Sequence, residues 1–304
     1  MTSLVPAMPS IVVQGITGRE ASMVAGHMLA YGTPIAAGVT PGRGGTVVDG
    51  VRVFDGLRTA TSELGGRPFD VSIVYVPPSA ALDAIAEAVD AGIRLLVVIT
   101  ENIPLHDVMR ILSLCRGAET TLIGPNSVGV IAPARRLKLG PIGGDRPERA
   151  FPPGRIGIIS RSGGMTSEAG LQLRLAGFGV STAVSVGGDA MLGLSPVDAL
   201  RLFEQDSETD AVVYFGEPGM FHEEDAASLI EAGGFTKPLV AHVAGLFTEQ
   251  MPEGTMFGHA SAIIERGHGR PSDKMTALRG AGAHVAERFD DVVSVLRSAL
   301  HGRT

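Results

Sequence analysis

The chain has a single cysteine, Cys115, in 304 residues. An internal disulfide is therefore excluded, and a reducing compartment is expected. Basic charge is also scarce. Lys and Arg number 25 against 32 Asp and Glu, a net charge of −7, with no basic stripe. That balance argues against a nucleic-acid partner. No apolar run is long enough to span a membrane. Residues 1–9 lack a basic segment followed by an apolar core, so no signal peptide is expected. These absences together predict a soluble, cytoplasmic protein.

Glycine is abundant, at 41 residues, which predicts tight turns and close backbone approaches. With 44% apolar and 19% charged residues, the composition is that of a globular protein. The length suggests about two domains.

Short apolar runs alternate with helical stretches along the first half. Ser10 to Gln14 reads as a buried strand. The loop Gly15-Ile16-Thr17-Gly18-Arg19-Glu20 follows, and then a helix from about Ala21 to Tyr31. Such a unit cradles a phosphate on free N–H groups. The third glycine of a dinucleotide fingerprint is missing, because Ala21 stands there. Pro34 to Val39 is the next strand, ending in a second glycine-rich loop that holds Arg43. Further strands are expected at Val71–Val76, Leu95–Ile99 and Thr121–Ile123. The pattern predicts a parallel, doubly wound sheet, whose ligands lie beyond the carboxyl ends of the strands. Thr17, Arg43, Thr100 and Asn126 all follow strand ends and are expected to share one cleft.

Residues 132–154 are rich in Pro, Gly and Arg without periodicity, and read as a linker between domains 1–131 and 155–304. The alternation then resumes. Arg155 to Ser160 is a strand, Arg161 to Thr166 a Gly/Ser loop, and Ser167 to Ala176 a helix. The polar residues Ser162, Asp189, Glu217 and His259 again follow strand ends. Glu217, between glycines, is suited to hold a histidine by its second ring nitrogen. His259 lies among small residues on a Gly-rich loop, as a base, a metal ligand or a phosphoryl acceptor would.

The blocks from Ile11 to about Leu300 resemble the α subunit of succinyl-CoA synthetase and related acid–CoA ligases. They include 14–18, 38–45, 75–77, 99–101 and 123–126 in the first half. The second half adds Ile159 to Gly163, Gly187-Gly188-Asp189, Gly216-Glu217 and Gly258-His259-Ala260. The resemblance implies an α/β fold: a Rossmann-like CoA-binding domain followed by a flavodoxin-like domain carrying a phosphohistidine at His259. In that family a nucleotide phosphorylates a carboxylate, the acyl phosphate exchanges its phosphoryl group with the histidine, and CoA takes the acyl group.

It also implies site residues. Glu217 would orient His259. Ser160, Arg161, Ser162, Gly163 and Gly164 would hold the phosphoryl group. Thr17, Gly18, Arg19, Glu20, Arg43, Val76, Pro77, Ile99, Thr100, Glu101, Asn126 and Ser127 would bind CoA. ATP or GTP with Mg²⁺ would sit mainly on an ATP-grasp β subunit, in an αβ or α2β2 assembly acting on a small carboxylate. No metal ligand is expected on this chain.

The sequence also departs from the family. Ser127 stands where a Cys is usual, Arg43 where a Lys is usual, and Ser167 where a Tyr is usual. The loop 249–257 is acidic instead of basic, and Pro218 and Met220 interrupt a Gly-rich block. These changes leave open a different carboxylate substrate, or a CoA-binding regulatory protein without ligase activity. A NAD-dependent dehydrogenase fits less well, since no acidic residue ends the second strand.

Overall fold

The computed structural model describes residues 4–252, 254–256, 258–259, 261–265 and 267–301. Within it the chain forms two seven-stranded sheets flanked by helices.

The first sheet uses β1 (Ile11–Gln14), β2 (Ile35–Val39), β3 (Val47–Val48), β4 (Val51–Phe54), β5 (Val71–Val74), β6 (Leu95–Val98) and β7 (Thr121–Ile123). Their spatial order is β3-β4-β2-β1-β5-β6-β7. Only the β3–β4 pair is antiparallel. Without the β3 ribbon, the parallel strands follow the 3-2-1-4-5-6 order of a Rossmann fold. Each of β1, β5 and β6 is buried along its whole length, which is why all three read as largely apolar runs, broken only by Ser72 in β5 and Gln14 at the end of β1. The helices α1 (Arg19–Tyr31), α2 (Leu57–Glu63), α3 (Ala81–Asp90) and α4 (Leu105–Gly117) cover the faces. On α1, Ala21, Val24, Ala25, Met28 and Tyr31 form the buried stripe. Gly32, at φ 118°, ends that helix in the left-handed cap glycine favours.

The second sheet uses β8 (Gly129–Ala132), β9 (Leu137–Leu139), β10 (Pro153–Ser160), β11 (Val180–Ser185), β12 (Ala211–Gly216), β13 (Leu239–Val243) and β14 (His284–Val285). Its order is β14-β13-β12-β10-β11-β8-β9. The five parallel strands give the flavodoxin-like order 2-1-3-4-5. Helices α5 (Gly163–Leu175), α6 (Pro196–Gln205), α7 (His222–Glu231), α8 (Pro271–Gly280) and α9 (Val292–His301) complete it. A capping box between Ser195 and Asp198, with Pro196 in the first turn, starts α6.

The expected linker at 132–154 differs from the structure. The second sheet begins at Gly129, inside the stretch assigned to the first domain. β8 pairs antiparallel with β11, and β9 pairs with β8. Two strands of four and three residues are too short to show periodicity. Lys138 at the centre of β9 also disguised it, because a charged residue there reads as loop; it is fully buried. Helix α5 likewise starts at Gly163, four residues before the expected Ser167, so the Gly/Ser loop is partly helix.

The two sheets share a core. Ile123 of β7, Val130 of β8, Ile159 of β10 and Val184 of β11 lie in one buried cluster. Main-chain bonds cross between the halves, from Gly124 N–H to the Val186 carbonyl at 3.2 Å and from Gly188 N–H to the Asn126 carbonyl at 3.2 Å. The carboxyl ends of both sheets therefore face a common cleft.

Candidate functional site

In each sheet the strand order reverses next to the first strand, between β1 and β5 and between β10 and β12. Open α/β folds leave a crevice at such points. The second crevice is flanked by the loop after β10, with Ser160 to Ser162, and by the turn after β12, with Glu217.

His259 enters from the long loop after β13. Its Nδ1 lies 2.8 Å from Glu217 Oε2. The Glu217 side chain is 11% exposed and the His259 side chain 27%. A carboxylate on Nδ1 selects the tautomer with the proton there and leaves the Nε2 lone pair free. The hydrogen bond to Glu217 raises the His259 pKa above its usual value. Burial and the Arg161 charge oppose that rise; the charges of Glu217 and Asp189 add to it. The imidazole lies against bare backbone: a Cβ on Gly188 would stand 2.6 Å from its Nε2 and Cδ2 atoms. Glu253, Phe257 and Ala260, part of the motif and loop considered from sequence, lie outside the described residues.

The phosphate-loop residues adopt a helix start. Ser162 caps α5, its Oγ accepting from Met165 N–H at 3.5 Å. The first-turn N–H groups of Gly163 and Gly164 have no intrahelical partner, and Gly163 lines the same cleft as His259. The hydroxyls are spent on the turn itself: Ser160 and Thr166 both donate to the Ser162 carbonyl, at 2.8 and 2.7 Å. Ser162 N–H donates back to Ser160 Oγ. Arg161 is 1% exposed. Its Nη2 donates to Ser261 Oγ, and Ser261 Oγ donates to the Gly188 carbonyl at 2.9 Å. Its Nε and Nη1 have no hydrogen-bond partner among the described residues.

The cleft measures about 540 Å³ and is lined by Glu20, Val76, Ile99, Thr100, Glu101, Asn126, Ser127, Gly163 and His259 among others. The structure thus brings most of the expected CoA-side residues to the histidine. Thr17, Gly18, Arg19, Arg43 and Pro77 lie outside that lining. They still belong to neighbouring strand ends, since Thr17 Oγ1 donates to Thr40 Oγ1 at 3.2 Å and joins the loops after β1 and β2. Arg43 is exposed in the second of these loops. Gly15 makes the first loop possible: at φ 85°, a Cβ there would meet the Tyr75 carbonyl oxygen at 2.8 Å. Gln14, buried at the end of β1, fixes the base of the crevice. It accepts from Ser72 Oγ at 2.7 Å and donates to the Ala84 carbonyl at 2.8 Å.

Asn126 and Ser127 also tie the two halves together. Asn126 Nδ2 donates to Asp189 Oδ1 at 3.0 Å. Ser127 Oγ donates to the Ser185 carbonyl and accepts from Gly129 N–H at 2.8 Å. Sequence reasoning missed Ser261, which links Arg161 to the Gly188 carbonyl, and Tyr214, Glu223 and Lys274, which form the layer behind Glu217. Glu223 reads as one more acid in the first turn of α7, and Lys274 as a solvated helix charge; both are fully buried.

Two features suit a phosphorylated ligand. Tyr75 lines the cleft, and its hydroxyl is buried without a hydrogen-bond partner among the described residues. The free first turn of α5 faces the same space.

Both halves of the chain are similar to known proteins. Residues 7–102 match the CoA binding domain model and residues 159–284 the CoA-ligase model. The chain is 46% identical over 297 residues to succinate–CoA ligase [ADP-forming] subunit alpha 1 of Archaeoglobus fulgidus, covering 98% of each. It is 45% identical over 289 residues to the corresponding alpha subunit of Aquifex aeolicus, covering 94% of this chain and 91% of that one. Among solved structures, ATP citrate lyase from Methanothrix soehngenii, in complex with citrate and coenzyme A, superposes with a TM-score of 0.87. That likeness, at 24% identity, covers 99% of this chain and 51% of the lyase chain, and it shows a shared fold. By the near full-length identity to these alpha subunits and by both domain matches, the chain belongs to the succinate–CoA ligase α-subunit family.

Proposed function

We propose that this chain is the α subunit of a nucleoside-triphosphate-dependent acid–CoA ligase and that His259 carries the phosphoryl group between half-reactions. The observation that carries this reading is the 2.8 Å Glu217–His259 contact, in a cleft shared with the first turn of α5. Glu217 holds the Nδ1 proton, so the Nε2 lone pair attacks phosphorus and the nucleoside diphosphate leaves. The dianion on Nε2 then needs positive potential. The Gly163 and Gly164 N–H groups and the α5 dipole supply it, and the Arg161 guanidinium adds its charge from behind. The carboxylate substrate takes the phosphoryl group from Nε2, which restores the neutral imidazole. The CoA thiol attacks the resulting acyl carbon, and phosphate leaves as the C–O bond breaks.

CoA supplies the thiol in this scheme. Glu20, Val76, Ile99, Thr100, Glu101, Asn126 and Ser127 would line its path. The helix start at Gly18 and Arg19, together with Thr17 and Arg43, would meet its phosphates near Pro77. Nucleotide and Mg²⁺ are assigned to an ATP-grasp β partner. Exposed Phe221, Leu246, Phe247, Met251 and Met256 on loops of the second domain support a partner surface there. The carboxylate is left open by the family departures at Ser127, Pro218 and Met220.

Intact mass after incubation with the β chain and ATP or GTP tests the proposal. One added phosphate, lost in mild acid and absent from His259→Ala, is expected. If His259→Ala takes up phosphate equally, the role of His259 is excluded. CoA binding without any phosphoryl transfer would favour a regulatory protein.

A further inference from the structure

Glu223 and Lys274 have no part in the chemistry above, yet both are fully buried. A buried ion pair seldom stabilises a fold, because desolvation offsets the Coulomb attraction. Their position points to another role. Glu223 lies in the first turn of α7, just after the turn that carries Glu217. Its Oε1 accepts from Tyr214 Oη at 2.8 Å and from the Glu217 N–H at 3.3 Å. Lys274 of α8 donates to Glu223 Oε2, and to the Met220 carbonyl at 3.0 Å. The pair therefore grips the turn at residue 217 and again at residue 220.

The turn has no slack on either side. A Cβ on Gly216 would stand 2.5 Å from Glu223 Oε1, and one on Gly219 would stand 2.1 Å from the Ser261 carbonyl oxygen. Met220 sits at φ 51°, a left-handed conformation that a non-glycine residue keeps only when its surroundings impose it. We infer that Glu223 is a positioning residue: braced by Lys274 and Tyr214, it clamps the 216–220 turn so that the Glu217 carboxylate stays on His259 Nδ1. The inference rests on His259 and Glu217 being the reacting pair.

Two double variants separate positioning from simple structural support. In Glu223→Gln/Lys274→Met and in Glu223→Leu/Lys274→Met both charges of the fully buried pair leave together, and half-buried Glu224, which also accepts from Lys274 at 3.1 Å, loses that partner equally in both. The groups whose charges act on His259, namely Glu217, Arg161 and Asp189, are untouched. Only Gln keeps an acceptor for the Glu217 N–H. The His259 ring is titrated by NMR in the full chain, without a phosphoryl donor, and melting is followed alongside. The raised pKa is expected to persist in the Gln variant and to drop toward the ordinary histidine value in the Leu variant. Equal His259 pKa values in the two variants overturn the inference, whatever the melting temperatures do. If the Leu variant fails to fold, Tyr214→Phe decides: a lowered His259 pKa supports the clamp and an unchanged one refutes it. With the β chain present, the Leu variant should form phosphohistidine about 10-fold more slowly with the KM for CoA unchanged. A chain that never takes up phosphate would defeat the proposed function, while the titration would still decide the clamp.

Discussion

Gly188→Ala tests the geometry at the histidine with the least collateral damage. Gly188 does not need a left-handed backbone, so alanine adds one methyl group and no backbone strain. That methyl would stand 2.6 Å from His259 Nε2 and Cδ2, and ordinary contact begins at 3.4 Å. The ring must then move by about 0.8 Å, since atoms this close repel steeply. Glu217 cannot follow, because its turn is packed from both sides. The 2.8 Å contact at Nδ1 is lengthened or bent, and Nε2 shifts within the cleft that His259 shares with the first turn of α5. A misplacement of this size costs about 10²-fold in rate. The assay is single-turnover phosphorylation of the chain with its β partner and nucleotide, quenched at neutral pH. Melting of the free chain is expected to change little. A Gly188→Ala protein phosphorylated at the wild-type rate would mean that the ring does not react from this position.

Further outcomes follow from the same structure. Glu217→Gln removes the main cause of the raised His259 pKa, so its titration midpoint should fall; NMR of the ring checks this. The wild-type pair stabilises the fold fully below the unfolded histidine pKa and loses that contribution as pH rises through the higher folded value. Urea melts of wild type and Glu217→Gln should therefore converge at alkaline pH. Burial pushes the Lys138 pKa down to about 8 against 10.5 unfolded. Wild-type stability should rise with pH across that window, because the unfolded chain binds the extra proton there. Lys138→Met should flatten the rise in urea melts between those pH values. Gly15→Ala forces φ 85° on a residue with a Cβ, 2.8 Å from the Tyr75 carbonyl oxygen. About 1–3 kcal/mol of stability should be lost, and CoA should protect the variant less than wild type in a thermal shift.

Much of this fold was legible because parallel strands buried on both faces leave largely apolar runs, and glycines mark many of the turns after them. Thr100 and Asn126 were found that way, as residues following strand ends, and they line the cleft; Thr17 and Arg43, found by the same reasoning, lie outside its lining, and Glu101 and Ser127, which do line it, came from the family resemblance. Its strand-end position suited Glu217 to hold a histidine, the family resemblance named His259 as that histidine, and the two side chains, 42 positions apart in the chain, lie 2.8 Å from each other. The strands β8 and β9 were hidden by their shortness and by Lys138, a buried charge that sequence patterns assign to solvent. The layer behind Glu217 was hidden for the same reason. Nothing in His222-Glu223-Glu224-Asp225 says which acid turns inward, since all three acids suit a helix start.

The parts that were hard to read are those where a charge is buried against local preference. Arg161, Lys274, Glu223 and Lys138 are all at or near zero exposure. Each is a poor choice for stability alone, since an apolar residue of similar size would avoid the desolvation. Three of the four surround the Glu217–His259 pair. Arg161 is bonded to Ser261, which is bonded to Gly188 beneath the imidazole, and Glu223 and Lys274 hold the turn that carries Glu217. Lys138 is remote, on an edge strand, and its Nζ is bonded to the Gly144 carbonyl. Replacing it should leave phosphoryl transfer unchanged, whereas replacing Arg161 with Met should slow transfer without loosening CoA. Equal effects on transfer from Lys138→Met and Arg161→Met would show that buried charge here serves only to hold the chain together.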